Sequence, residues 1–153
     1  MLIRTAEPSD LAALRHLQHE RAVLLEKSDA RYKTRVVTFE SLAARIGGSL
    51  PVLVGISGEQ VAGYVAAWTA HSPYGDIPGG VVLIDDMALD AHRYYGGLAR
   101  ALIQRLRAQA PDGLRVLVPR YAPVEQAFWR ALGALPCTPD GLARVLLFEW
   151  MCL

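Results

Sequence analysis

The chain has 153 residues, of which 52% are hydrophobic and 20% are charged, a balance typical of an ordinary folded globular protein. Its formal net charge of +1 provides no strong field to attract nucleic acid or an anionic membrane, so neither is an expected partner. The start "MLIRTAEPSDL" lacks a targeting core and no apolar run approaches the roughly 20 residues that span a bilayer, so we expect a cytoplasmic protein.

The N-terminal part predicts a strand followed by two helices. Glu7 and Pro8, with Asp10 three residues after Glu7, are typical of a helix start, because proline suits the first turn and acids suit the positive end of the helix dipole. This helix is expected to run to about Glu26. Its leucines fall on one arc of the helix: Leu11, Leu14, Leu17, Leu24 and Leu25. The segment "TFESLAARIGG" predicts a shorter helix with Thr38 as its N-cap.

The middle of the chain predicts a hairpin and then a buried strand. Two strand-like runs flank the turn Ser57 to Gln60, and Gly63 in the second run indicates a bulge or the close approach of another segment. The run "VVLIDDMAL" is apolar except for Asp85 and Asp86, which indicates a buried strand with a polar role. An amphipathic helix is expected from about Leu98.

The last third predicts the strand "LRVLVP", a helix opened by Pro123 and ended by Gly133, and the closing strand "ARVLLFEWMCL". Four residues of this helix are expected to be buried: Val124, Phe128, Ala131 and Leu132. Without a repeat or linker, residues 1–153 are expected to form a single domain. The order of elements predicts an α+β fold around one mixed sheet, with parallel pairing only where a helix connects two strands.

One stretch carries a candidate binding site, the sequence "ALDAHRYYGGLARALIQRL" at residues 88–106. Here a strand passes through glycines directly into a helix. The first-turn N–H groups of such a helix have no partner within the helix and can bind phosphate. A tight turn without a ligand is the alternative, because many strand-to-helix turns contain glycine. The G-x-G-x-x-G pattern of a dinucleotide site is absent.

The chain resembles the GNAT superfamily of acyl-CoA-dependent N-acyltransferases in "IRTAEPSDLAAL", "GEQVAGYVAAW", "DDMALDAHRYYGGLARALIQRL" and "EQAFWRALGA". The resemblance implies a layered α+β fold with a mixed, mostly antiparallel central sheet flanked by helices. It implies acetyl-CoA as co-substrate and direct transfer of the acetyl group, within a ternary complex, to a primary amine of a small molecule or peptide. Many members are dimers, so the resemblance also allows a homodimer.

The resemblance also implies where coenzyme A binds. The family pattern Q/R-x-x-G-x-G/A is matched in part by Gly97-Leu98-Ala99, while Tyr94 stands at the Q/R position. The implied coenzyme-binding residues are Met87, Ala88, Leu89, Tyr94, Tyr95, Gly96, Gly97, Leu98, Ala99, Arg100 and Trp129. Trp129 stands four residues before Gly133, where the family often has a tyrosine that protonates the leaving thiolate. An indole N–H cannot act as that acid near neutral pH.

Asp85 and Asp86 are the candidate catalytic bases, because a carboxylate in an apolar strand can serve as a proton acceptor. Adjacent strand residues point to opposite faces, so at most one should face the acceptor, and Asp86 is slightly favoured. Both carboxylates could instead have purely structural partners. Tyr94 and Trp129 keep open an alternative function, a non-catalytic acyl-CoA-binding module. No metal is expected, since Cys137 and Cys152 lack the paired spacing of a metal site.

Overall fold

The computed structural model describes residues 1–28, 38–47, 52–69, 82–91, 97–110, 113–119, 123–136 and 145–150. Apart from the short strand Leu135–Pro136, the strands and helices follow the predicted order. In sequence they are β1 (Leu2–Thr5), a 3-10 turn (Pro8–Asp10), α1 (Leu11–Ser28), α2 (Phe39–Arg45), β2 (Val52–Ser57), β3 (Gln60–Thr69), β4 (Val82–Leu89), α3 (Leu98–Arg107), β5 (Leu114–Pro119), α4 (Pro123–Ala131), β6 (Leu135–Pro136) and β7 (Val145–Trp150).

The chain divides into two compact units. The first comprises Met1–Ala66 and Asp86–Leu102, and the second comprises Ala67–Asp85 and Ile103–Leu153. The strand order is β1-β2-β3-β4 in the first unit and β4-β5-β7-β6 in the second. The described strand registers are antiparallel except that of β4 with β5, which confirms a mixed, mostly antiparallel sheet with helices. The single domain stays a prediction.

The start of the first helix is fixed by a carboxylate. Oδ2 of Asp10 accepts a hydrogen bond of 2.8 Å from the backbone N–H of Glu7 and one of 2.7 Å from Nη1 of Arg4, while Oδ1 accepts one of 2.9 Å from Nη2. The hydrogen bond from Arg4 holds the pKa of Asp10 below its usual value, and the same bond raises the pKa of Arg4. The predicted helix start at Glu7 to Asp10 is therefore confirmed, with a 3-10 first turn.

The core of the first unit lies between the sheet and the two N-terminal helices. Leu14 and Leu17 of α1 are buried in one cluster with Leu42 of α2 and with side chains of β2 and β3. Burying one such leucine contributes about 1.5 to 3 kcal/mol. Leu24 lies on the same arc of leucines, but half of that residue is exposed. The buried arc of α1 turns instead toward Gln18, which is buried.

The predicted N-cap and hairpin are confirmed. Thr38 Oγ1 accepts a hydrogen bond of 3.2 Å from the N–H of Ser41 at the start of α2. In the hairpin, Ser57 pairs with Gln60 across a turn in which Gly58 has a φ of +64°. Positive φ of this kind is strained for residues that carry a Cβ atom, which explains the glycine.

Gly63 of β3 lies beside a bulge and close to the end of β4. The register shifts between Gly55 and Ile56, opposite Gly63. A Cβ atom at Gly63 would stand 2.9 Å from the carbonyl oxygen of Ala88 and 2.7 Å from Cδ2 of Leu89, which is closer than packed atoms tolerate. Both expectations for Gly63, a bulge and a close approach, are confirmed.

The second unit contains the parallel pair and the last helix. β4 and β5 pair in parallel from Val82 with Leu114 to Ile84 with Val116, as the connecting helix predicts. The two-residue strand β6, which pairs with β7, was not predicted; it is too short to leave a periodic pattern.

The prediction of which residues of α4 are buried is wrong. Val124 is 82% exposed, Phe128 and Ala131 are exposed, and Leu132 is half-buried. The buried residue is Trp129, whose ring packs edge-to-face against the ring of Trp150 with centroids 5.8 Å apart. The large indole determines which side of the helix is buried. That side differs from the one that the spacing of apolar residues predicted.

Candidate active site

Asp86 lies at the centre of a buried polar cluster in the first unit. Its side chain is only 3% exposed. The hydroxyl of Tyr64 on β3 donates a hydrogen bond of 2.6 Å to Oδ2 of Asp86, and Nε2 of Gln18 donates one of 3.1 Å to the same oxygen. Nη1 of Arg21 donates to Oδ1 across 3.3 Å. Three elements, α1, β3 and β4, therefore meet at one carboxylate.

The spacing of α1 explains how two of these partners reach Asp86. Residues three or four apart share one face of a helix, so Gln18 and Arg21 continue the arc of Leu14 and Leu17. A polar residue on a buried arc needs a buried partner, because an unpaired amide or guanidinium there would be costly. That signal was present in the sequence, but sequence reasoning missed Gln18 and Arg21 and gave Tyr64 no role.

The cluster leaves the two carboxylate oxygens in different situations. Oδ2 accepts two hydrogen bonds, one of them short, whereas the contact of Oδ1 with Arg21 is longer than a tight charge-assisted hydrogen bond. The side chain of Arg21 is 32% exposed, so its other N–H donors have access to water. Oδ1 is thus the more weakly held oxygen. Asp85, the other candidate base, is half-buried.

The turn that leads into α3 has an open backbone. Gly97 has a φ of +81°, and a Cβ atom added there would meet no atom of the described residues within 4 Å. Its carbonyl oxygen accepts a hydrogen bond of 2.8 Å from the N–H of Ala101, so the helix begins immediately after it. The following N–H groups, from Leu98 to Arg100, form the first turn, where the helix dipole favours an anion.

Leu98 anchors this turn to the sheet. It is buried, and a Cβ atom at Gly55 would collide with its Cδ1. A Cβ atom at Gly63 would stand 3.2 Å from its Cδ2. Two glycines on neighbouring strands therefore make the recess that Leu98 fills, and this fixes where α3 begins.

The other predicted coenzyme-binding residues fall into two groups. Met87 and Ala88 are buried at the end of β4, Leu89 and Ala99 are half-buried, and Arg100 is exposed. Tyr94, Tyr95 and Gly96 lie outside the described residues.

Trp129 is buried in the second unit, with 4% of its surface exposed. Its Nε1 has no hydrogen-bond partner within the described part of the chain. The neighbouring indole differs, since Nε1 of Trp150 donates a hydrogen bond of 3.0 Å to the carbonyl oxygen of Leu132. A buried N–H without a partner is uncommon in folded proteins.

The described residues contain neither a cluster of metal ligands nor a helix suited to a membrane. Among these residues, no group of three or more His, Cys, Asp or Glu side chains is placed to hold a metal ion. No helix within the same ranges combines the length and the apolar character that crossing a membrane requires. The cytoplasmic location stays a prediction.

The sequence matches no protein-family model and no curated protein. Solved structures do match. A GNAT family acetyltransferase from Streptococcus agalactiae aligns with a TM-score of 0.80 at 19% identity, over 99% of this chain and 95% of that one. A ribosomal-protein-alanine N-acetyltransferase from Brucella melitensis aligns with a TM-score of 0.71 at 23% identity, over 100% of both chains.

A third match is the PaiA N-acetyltransferase from Thermoplasma acidophilum in complex with coenzyme A. It aligns with a TM-score of 0.75 at 14% identity, over 97% of both chains. These likenesses extend over almost the whole chain and agree with the strand order and the helices described above. The chain therefore has the fold of the GNAT acetyltransferases.

Proposed function

We propose that the chain is an acyl-CoA-dependent N-acetyltransferase, which transfers the acetyl group of acetyl-CoA to a primary amine. The observation that carries the proposal is the open, left-handed turn at Gly97 between β4 and α3, in a chain with the GNAT acetyltransferase fold. That turn offers helix N–H groups and space to an anion, and the pyrophosphate of coenzyme A is such an anion.

The coenzyme is proposed to lie along the end of β4 and the start of α3. The N–H groups of Leu98, Ala99 and Arg100 would bind the pyrophosphate, and Gly97 would let it approach the backbone without obstruction. Backbone groups of Met87 to Leu89 would bind the acyl and pantetheine end, where an N–H can polarise the thioester carbonyl. From the sequence alone, Tyr94, Tyr95 and Gly96 are proposed as further coenzyme-binding residues.

The reaction is proposed to be direct attack in a ternary complex. The amine nitrogen gives up a proton to a base and forms a bond to the thioester carbonyl carbon. The carbon–sulfur bond then breaks and coenzyme A leaves as a thiolate, which takes a proton from solvent. Asp86 is the proposed base, because it is a buried carboxylate on β4, the strand that leads to the Gly97 turn. Asp85 is the second candidate.

Trp129 is the proposed contact for the pantetheine arm. Its Nε1–H is buried without a partner in the described residues, so a ligand atom that accepts its hydrogen bond would satisfy it. An indole donor can stabilise a neighbouring oxygen or sulfur, but it does not supply the proton for the thiolate.

The acceptor class is proposed as a small-molecule or peptide amine. The Brucella melitensis protein is named for acetylating an alanine of a ribosomal protein, which recommends peptides with a free N-terminal alanine as one arm of an acceptor panel. Polyamines, aminoglycosides and free amino acids form the other arms.

Two measurements test the proposal. Calorimetric titration with acetyl-CoA should show binding that free acetate does not compete with. Thiol release, followed with a thiol reagent across the amine panel, should exceed the rate without protein for at least one amine. Binding without thiol release for any amine would favour the non-catalytic acyl-CoA-binding module. An absence of acetyl-CoA binding would contradict both functions.

A further inference from the structure

The Asp86 carboxylate is held asymmetrically, and the residue that holds it most tightly is Tyr64. The hydrogen bond of 2.6 Å from Tyr64 is the shortest in the cluster, and Gln18 donates to the same oxygen. Tyr64 is fully buried, and its neighbour across the hairpin is Val54. The sequence alone gives Tyr64 no catalytic or binding role.

We propose that Tyr64 is a positioning residue of the transfer reaction. Its hydroxyl fixes Oδ2 of Asp86, so that Oδ1 is the atom that receives the proton of the attacking amine. This inference rests on the proposed function and on Asp86 as the base. It deepens that function by assigning the proton to one oxygen and the orientation of the carboxylate to one hydroxyl.

The hydrogen bonds support this choice of oxygen. A carboxylate oxygen that already accepts two hydrogen bonds, one of them short, has little remaining capacity for a proton. Within the described part of the chain, Oδ1 has only the 3.3 Å contact with Arg21. When Oδ1 takes the proton, Arg21 loses its anionic partner. The cost is limited because a third of the Arg21 side chain is exposed and water can solvate its charge.

The proton transfer balances without a further reagent. An N–H bond of the acceptor breaks, and its electron pair stays on nitrogen for the attack on the thioester. The proton forms an O–H bond at Oδ1 and later passes to solvent. The Tyr64 hydroxyl keeps its own proton throughout, so it positions the base and does not take part in the transfer.

The test is Tyr64→Phe, which removes only the hydroxyl. Losing a hydrogen bond to a charged group should lower kcat by about 10-fold to 100-fold, while the KM for acetyl-CoA stays within about twofold. The acid limb of the pH–rate profile should move to higher pH, because removing a donor disfavours the charged carboxylate. Among the residues that the structure describes, the charged and polar groups that face Asp86 are Arg21 and Gln18 from α1 and Tyr64 from β3.

Two further proteins separate positioning from packing. Val54→Ala alters the residue paired with Tyr64 without touching Asp86, so it should lower the unfolding temperature and leave the pH–rate profile unmoved. The double variant Tyr64→Phe/Asp86→Asn should have the same kcat as Asp86→Asn alone, since Tyr64 acts only through the carboxylate. If Tyr64→Phe does not fold, Gln18→Met tests the same oxygen and should move the acid limb in the same direction by a smaller amount.

Three results would overturn the inference while the proposed function stands. They are an unmoved acid limb in a folded Tyr64→Phe, additive losses in the double variant, and an unmoved limb in Gln18→Met when Tyr64→Phe is unfolded. A parent protein that binds acetyl-CoA but releases no thiol with any amine would overturn the proposed function and this inference with it.

Discussion

Gly63 on β3 lies directly under Leu98, the first residue of α3, and a Cβ atom at Gly63 would stand 3.2 Å from Cδ2 of that leucine. The start of α3 is proposed to bind the coenzyme. It can pack closely on the sheet because a glycine, some thirty-five positions earlier in the chain, leaves room for Leu98. The same glycine also lets the end of β4 approach β3 closely. There the Ala62 carbonyl accepts a hydrogen bond of 2.9 Å from the N–H of Asp90. Strand end and helix start are fixed together.

Gly63→Ala should accordingly damage both stability and coenzyme binding. The new methyl group would meet the backbone oxygen of Ala88 at 2.9 Å, which cannot move as a side chain can. Overpacking of this kind costs about 1 to 3 kcal/mol of unfolding free energy. Urea unfolding and acetyl-CoA titration measure the two effects. A variant with parental stability would show that β3 and β4 are not as close as described.

Gly97→Ala tests the proposed pyrophosphate site, and Gly58→Ala is its matched control. Both glycines have positive φ, +81° and +64°, and the methyl group would meet no atom of the described residues within 4 Å at either position. Each substitution should cost about 1 to 2 kcal/mol of stability through backbone strain. Only Gly97→Ala should weaken acetyl-CoA binding, because only its methyl group would occupy the phosphate position. Equal affinity for acetyl-CoA in the two folded variants would show that the pyrophosphate does not bind at this turn.

The Asp10 carboxylate should make stability depend on pH. Its pKa is lowered in the folded state by the hydrogen bond from Arg4, so the unfolded chain binds more protons as the solution becomes acidic. The stabilisation is complete above the ordinary aspartate range near about pH 4 and is lost as pH falls through the lower folded pKa.

Asp10→Asn should therefore cost about 1 kcal/mol at neutral pH, in the range of a lost helix cap or charge-assisted hydrogen bond. The difference from the parent should shrink steadily as the pH falls below about 4. Urea unfolding at several pH values measures it. A deficit that stays constant down to acid pH would mean that the carboxylate's charge contributes nothing.

Asp86→Asn keeps the size of the side chain and removes its basicity. Turnover should fall by about 10²-fold to 10⁴-fold, the usual contribution of a positioned base, with little change in acetyl-CoA affinity. Activity should recover as the pH approaches the acceptor amine's own pKa, since free amine then needs no base. Asp85→Asn is the control. Normal turnover in Asp86→Asn with a large loss in Asp85→Asn would transfer the role to Asp85.

Local features of the fold could be predicted from the sequence because they depend on neighbouring residues. The helix start at Glu7, the N-cap Thr38 and the turn at Gly58 each depend on contacts or dihedral angles within a few positions. The parallel pairing of β4 with β5 also followed, because a crossover helix between two strands imposes it.

The features that periodicity predicted wrongly depend on distant partners. Phe128 is exposed because the indole of Trp129 packs against Trp150, a residue that the spacing of α4 cannot indicate. The buried arc of α1 indicated that Gln18 and Arg21 need a polar partner, but that this partner is Asp86 depends on distant contacts as well. Tyr64 and Arg21 stand 22 and 65 positions away from that aspartate, and only the folded chain brings their side chains together.

The central claim is that an acetyl group passes from coenzyme A to an amine. The most direct test supplies acetyl-CoA with an isotopically labelled acetyl group, together with the amine that gives the fastest thiol release. Mass spectrometry then follows the label. The account predicts that labelled acetyl appears on the amine in the same amount as free thiol, and that both fall together in Asp86→Asn. Thiol release with the label recovered only as free acetate would show hydrolysis in place of transfer and would contradict the account.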